Sequence, residues 1–253
     1  MKKLLIAAAA LAAIPAASAN AATVNITNWS VGAHLIGSVS SPTTTHGAVY
    51  INQFRYQGVN TTTNTVFDEL TNCVDLDHWT ANGTYTLASI TTRIPDLTKL
   101  RQMLVFVGNT TGIVAGATSQ QKNIDAAAMQ LGIWEILYEG GNANYNVASG
   151  MFKSSYAGFV SMTDFAAAQT LANTWLGNVT SGSWTAIQGK TLGYLQSSTA
   201  QSQIYLRDLE QGEHSLIGAV PEPGQWAMLI AGFGMAGFAA RRRRKNQFAA
   251  VAA

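Results

Sequence analysis

Hydrophobic and polar positions change their period twice along the chain. From Thr23 to about Leu104 they read as strands and turns. Val24 and Ile26 alternate with polar neighbours, and Ala48 to Tyr56 is rich in β-branched and aromatic residues on alternating faces. Thr61-Thr62-Thr63-Asn64 is a polar turn. Val66, Leu70, Val74 and Leu76 share one parity and Thr71, Cys73, Asp75 and Asp77 the other, so a strand here points Cys73 away from its most apolar side. After Thr118-Ser119-Gln120-Gln121, which can form a capping box, Ile124, Ala127, Leu131, Trp134 and Tyr138 recur at helical spacing until Gly140-Gly141. A second helix is predicted from Ser161 or Thr163 through Phe165, Leu171 and Trp175 to Gly177, and Ile204-Tyr205-Leu206 returns to strand composition. Strands, a helical pair and strands again predict an α+β domain over residues 23–218, a β-sandwich or barrel with an inserted helical pair.

The two ends follow another logic. Residues 1–22 run from Lys2 and Lys3 through an apolar stretch to small residues at Ala17-Ser18-Ala19 and Ala19-Asn20-Ala21, the order of a secretory signal peptide and hence a substrate for signal peptidase. At the other end Pro221 and Pro223 block regular structure, so a helix can start only after them. Trp226 to Ala240 is uncharged and stops at Arg241, Arg242, Arg243 and Arg244. As a helix it rises about 22 Å, which crosses the roughly 30 Å hydrocarbon core only if Trp226 and the arginines reach the two interfaces. Cationic flanks stay cytoplasmic, so the segment predicts a C-terminal transmembrane helix over 226–240 with a basic cytoplasmic tail.

Pro221-Glu222-Pro223, then Trp226-Ala227, the apolar stretch and the arginine stop resemble the PEPxxWA form of the PEP-CTERM sorting signal of Gram-negative bacteria. The resemblance covers residues 219–253. It implies recognition by an exosortase, a membrane cysteine transpeptidase, and a precursor held in the inner membrane. The mature domain then lies in the periplasm, on the cell surface or outside the cell.

Composition agrees with export. Only 11 % of residues are charged, against roughly 25 % in ordinary globular chains. The formal charge of +2 is set by the ends: residues 23–220 carry eight Lys and Arg against twelve Asp and Glu. An acidic body offers no footprint for phosphate backbones, so a nucleic-acid partner is not expected.

Cys73 is the only cysteine, so no intramolecular disulfide can form in a chain bound for an oxidising compartment. It reads either as a small buried hydrophobe or as a reacting group. On the first predicted helix Ala127, Gln130, Trp134 and Leu137 fall on one apolar stripe, so the Gln130 carboxamide should face the core and needs partners there. It can bond neighbouring backbone. Alternatively the Cys73 sulfur attacks it, ammonia leaves, and a Sγ–Cδ thioester joins strand to helix.

At these residues the chain resembles the bacterial thioester domains of surface adhesins. Asn72-Cys73-Val74-Asp75-Leu76 is similar to their cysteine motif, and Met129-Gln130-Leu131-Gly132-Ile133-Trp134 to their Thr-Gln-x-Ala-Ile/Val-Trp motif. Met129, Gly132 and Asn72 stand where the family has threonine, alanine and an aromatic residue; Gln203 is a loose match to a further glutamine motif. The resemblance implies Cys73 and Gln130 as the thioester pair, Trp134 as a packing residue, and covalent attachment to amine-bearing surface or matrix partners. Asp75 either turns the chain or polarises the reacting groups. Such a module needs no cofactor and makes no turnover.

Other chemistries compete. Asp75, Asp77 and His78 beside Cys73 invite a metal site or a cysteine hydrolase, but on one strand alternation puts His78 on the face opposite Cys73, and no metal site is expected. His34, His46 and His214 are distant in sequence. Thr43 to Thr45, Thr61 to Thr63, Trp79 and Trp184 allow a non-covalent glycan- or matrix-binding module as the second reading.

Overall fold

A computed structural model describes residues 22–139 and 144–210. The signal segment, the Gly140-Gly141 stop, His214 and the whole sorting signal with its expected membrane helix lie outside the described residues. Among the described residues no helix is long and apolar enough to cross a membrane.

Among the described residues the fold is α+β, with seven strands in one sheet and three α-helices. In chain order these are β1 (Thr23–Ser40), β2 (Thr45–Asn60), β3 (Thr65–Cys73), β4 (Gly83–Ala88), α1 (Leu97–Gly116), α2 (Ser119–Tyr138), β5 (Lys153–Tyr156), α3 (Met162–Thr180), β6 (Lys190–Gln196) and β7 (Gln203–Asp208). The sheet order is β2-β3-β7-β6-β4-β1-β5, and β2 also pairs with β1, so six antiparallel strands run round in a ring. The pairing thus closes the sheet on itself. β1 is long enough to serve three partners: β2 along one edge, then β4 through Thr23–Ile26 and β5 through Gly37–Ser40 on the other. The ring draws β1 and β2 together tightly at Gly58, where a side chain would overlap the Asn25 backbone.

α2 is the hub of the molecule. It packs on β1, β2 and β3 and also against α1 and α3. Every residue from Asp125 to Ile136 is buried, as befits a helix covered on all sides. Its N-cap Thr118 makes no side-chain hydrogen bond, so the expected capping box does not form around it. α3 does start behind Ser161, whose hydroxyl accepts the Asp164 N–H, but it runs past Gly177 to Thr180.

Two further expectations are corrected. Three helices stand where a pair was predicted, because Leu97–Gly116, partly assigned to strand, is helical. Asp96 caps it by accepting the Thr98 and Lys99 N–H groups, and Leu100, Met103, Leu104, Val107 and Thr110 form its buried stripe. The strand around Cys73 ends at that residue, and its buried side carries Phe67, Thr71 and Cys73, while Val66 is 83 % exposed. Cys73 therefore points into the core and not away from it.

Candidate functional site

Cys73 is the last residue of β3. β2 pairs with β3 from Asn60 opposite Thr65 as far as Phe54 opposite Thr71, and there the two strands part. On its other edge β3 still pairs with β7, Cys73 opposite Gln203, and Val74 N–H donates to Ser202 O at 3.1 Å. Successive strand residues turn their backbone groups to opposite edges, so the Cys73 N–H and C=O face the gap that β2 has left. Buried backbone groups need partners.

Gln130 provides both. Cys73 N–H donates to Gln130 Oε1 at 3.0 Å, and Gln130 Nε2 donates to Cys73 O at 2.9 Å. A carboxamide carries the same donor and acceptor as a peptide unit, so this fully buried side chain takes the place of the missing strand residue. The amide lies against the backbone of the residue whose sulfur would attack it. Its neighbour Met129, where the resembled motif has threonine, is buried and takes the Gln53 amide on its sulfur at 3.3 Å.

The sulfur sits in the turn that follows β3. Cys73 Sγ–H donates to Asp75 O at 2.9 Å, and Asp75 N–H donates back to Sγ at 3.3 Å. Burial pushes the thiol up to about 12, opposed by smaller effects from the Asp75 backbone and from Trp134. At neutral pH the group is a thiol, and it becomes a nucleophile only when something takes its proton. Trp134 stands one turn beyond Gln130 on α2. Its indole is near enough to the sulfur to favour the thiolate, yet the buried Nε1 reaches no partner in hydrogen-bonding geometry.

The turn itself is held from several sides. Asp75 Oδ1 accepts the Asp77 N–H at 2.9 Å, while Oδ2 lies 2.8 Å from His78 Nδ1. His78 is thus brought to Asp75, against the expectation from strand alternation, because the chain leaves the strand at Cys73. Arg93 Nε donates to Val74 O at 2.9 Å, and Leu76 N–H donates to Tyr138 OH at 3.2 Å. His46 Nε2 meets Leu76 O at 2.6 Å, and its ring lies edge-on to Trp79 with centroids 5.2 Å apart.

A pocket of about 430 Å³ opens on this corner. Cys73 and Trp134 line it together with Trp29, Tyr50, Trp79, Phe159, His46 and His78. Trp79 and Phe159 are 67 % and 68 % exposed, so the aromatic wall reaches the surface.

Of the residues singled out in sequence, the structure brings Cys73, Gln130, Asp75 and Trp134 together and sets Gln203 opposite Cys73, its Oε1 accepting from Thr71 Oγ1 at 3.2 Å. Trp184 instead packs on Trp175, and the Thr61–Thr63 turn bonds back to Thr23. His34 meets Tyr50 edge-on. Among the described residues no three His, Cys, Asp or Glu are gathered as a metal site. Sequence reasoning named His46 only as a histidine distant in sequence and Tyr138 only as part of the helical spacing, and it missed Arg93; no local pattern joins the three to Cys73.

Residues 219–244 match the PEP-CTERM protein-sorting motif. The match spans the Pro221-Glu222-Pro223 triplet, Trp226-Ala227 and the arginine run, and it marks the chain as an exported protein sorted by an exosortase and processed by signal peptidase. No protein of curated function matches the sequence. Among solved structures, the N-terminal domain of the Streptococcus pyogenes pilus tip adhesin Cpa is similar with a TM-score of 0.42 and 12 % identity, over 74 % of this chain and 99 % of that one.

Proposed function

We propose that this exported protein is a surface or extracellular-matrix module in which Cys73 and Gln130 condense to an internal thioester, ready for covalent attachment to an amine-bearing partner. The observation that supports this most is the paired hydrogen bond between the Gln130 carboxamide and the Cys73 backbone, set beside an open pocket that Cys73 lines. It holds the carboxamide against the backbone of the residue that carries the sulfur, which supports an intramolecular reaction between them. Trp29, Trp79, Trp134 and Phe159 make much of the pocket wall apolar, and an amine enters by the same opening. Attachment happens once per molecule, with no turnover and no cofactor. On this reading the domain spans residues 23–218, and the tail tethers the precursor in the inner membrane until sorting.

The test is methylamine treatment of the purified exported protein. A thioester predicts that a thiol becomes titratable at Cys73 as methylamine is incorporated at Gln130, and that Cys73→Ala abolishes incorporation. A thiol already titratable in full after unfolding without methylamine, and no incorporation, would overturn the proposal. The surface-reaching aromatics Trp79 and Phe159 favour a second reading, a non-covalent glycan- or matrix-binding module, which predicts that negative result together with saturable polysaccharide binding lost in Trp79→Ala.

A further inference from the structure

The thioester reading gives His78 no role, and its surroundings point to one. We infer that His78, held by Asp75, is the proton carrier of the Cys73–Gln130 junction: it takes a proton from the attacking amine and returns it to the cysteine sulfur. This rests on the thioester reading above.

Three observations carry it. His78 Nδ1 lies 2.8 Å from a carboxylate oxygen of Asp75, so in the neutral ring an Nδ1–H donated there leaves the lone pair on Nε2. Asp75 is also the residue whose backbone N–H and C=O hold the Cys73 sulfur, so imidazole and sulfur are tied to one short turn. His78 and Cys73 line the same pocket, and His78 is 39 % exposed, open to proton exchange with solvent. The other imidazole of the pocket, His46, has its Nε2 engaged by Leu76 O and its ring against Trp79.

The steps balance. On opening, the amine nitrogen bonds to Gln130 Cδ and the Cδ–Sγ bond breaks. The nitrogen gives one proton to His78 Nε2, and the imidazolium passes it to Sγ, leaving an amide, a neutral thiol and a neutral histidine. Formation is the same reaction reversed, with ammonia as the amine: Sγ bonds to Cδ, the thiol proton travels through His78 to the departing nitrogen, and ammonia leaves. A carrier is needed because a sulfur anion is strongly disfavoured in this buried corner, both as attacking and as leaving group.

The experiment follows loss of the thioester by mass in the purified full-length exported protein, with methylamine as probe, across a range of pH. The other titratable groups of this corner are Asp75, Asp77, His46, Arg93 and Tyr138, and all stay in place in the His78 variants. His78→Gln is expected to slow opening about a hundredfold, with a wild-type to variant ratio that follows the titration of one imidazole. Added imidazole should restore His78→Ala in proportion to its concentration, and Asp75→Asn should fall between. If His78→Gln keeps its carboxamide unreacted, restoration of ammonia loss by imidazole in His78→Ala supports the same role in formation. Opening of His78→Gln at the wild-type rate and pH profile, or a His78→Ala protein that imidazole does not restore, overturns the inference. A wild-type protein that never loses ammonia removes the thioester reading itself, before any variant is made.

Discussion

Gln130 answers a problem posed by the backbone of one residue. Where β2 leaves β3, the Cys73 N–H and C=O lose their strand partner, and a side chain with one donor and one acceptor restores both bonds inside the core. The apolar stripe of Ala127, Gln130, Trp134 and Leu137 made the carboxamide's burial legible in sequence, because a 3.6-residue period fixes which face points inward. The face of Cys73 was not legible. Val66 and Leu70 are apolar yet exposed, and apolarity alone does not assign the inner side of a strand. Glu135 on the same helix is another buried polar group: its Oε1 accepts the Asn146 N–H at 2.7 Å, and burial lifts its carboxyl from 4.5 to about 7. The folded state therefore binds this proton more tightly than the unfolded chain. Its contribution to stability is complete below about pH 4.5 and is lost as pH rises through about 7. Glu135→Gln, compared with wild type by denaturant unfolding at several pH values, should remove that decline.

At the level of elements, α1 explains one departure from the resembled motif. A side chain at Gly132 would overlap the ring of Phe106, which α1 presses against α2. The glycine is thus the cost of a third helix packed on the hub. Gly132→Ala gains helix propensity of up to about 1 kcal/mol but overpacks this contact by about 1–3 kcal/mol. A lowered midpoint of thermal unfolding is expected, with recovery in the double variant Gly132→Ala, Phe106→Leu. α1 itself escaped the sequence reading in part because Thr110, Thr111, Val105 and Val107 favour strands and Gly108 and Gly112 weaken a helix. Its Asp96 cap and Leu100–Met103–Leu104–Val107 spacing were nevertheless there to be read. The antiparallel strands near Val24, Ala48–Tyr56 and Ile204–Leu206 were legible because alternation survives wherever one face meets the core, whereas the meeting of Arg93, Tyr138 and His46 around the Cys73 turn depends on the ring closing.

Across the whole molecule, a body of low charge is joined to a basic terminal run, and the sorting motif over residues 219–244 ends in that run. Sorting and surface chemistry are separable. Trp226→Ala should leave the precursor in the inner-membrane fraction without altering any reaction at Cys73, as fractionation and thiol titration would each report. The central claim concerns a bond between residues 57 positions apart, and the intact mass of the purified exported protein tests it most directly. The account predicts a mass below that of the mature sequence by one ammonia, with the Cys73 and Gln130 peptides recovered joined. A mass equal to the mature sequence, with Cys73 as a thiol and Gln130 as an amide in separate peptides, would contradict it.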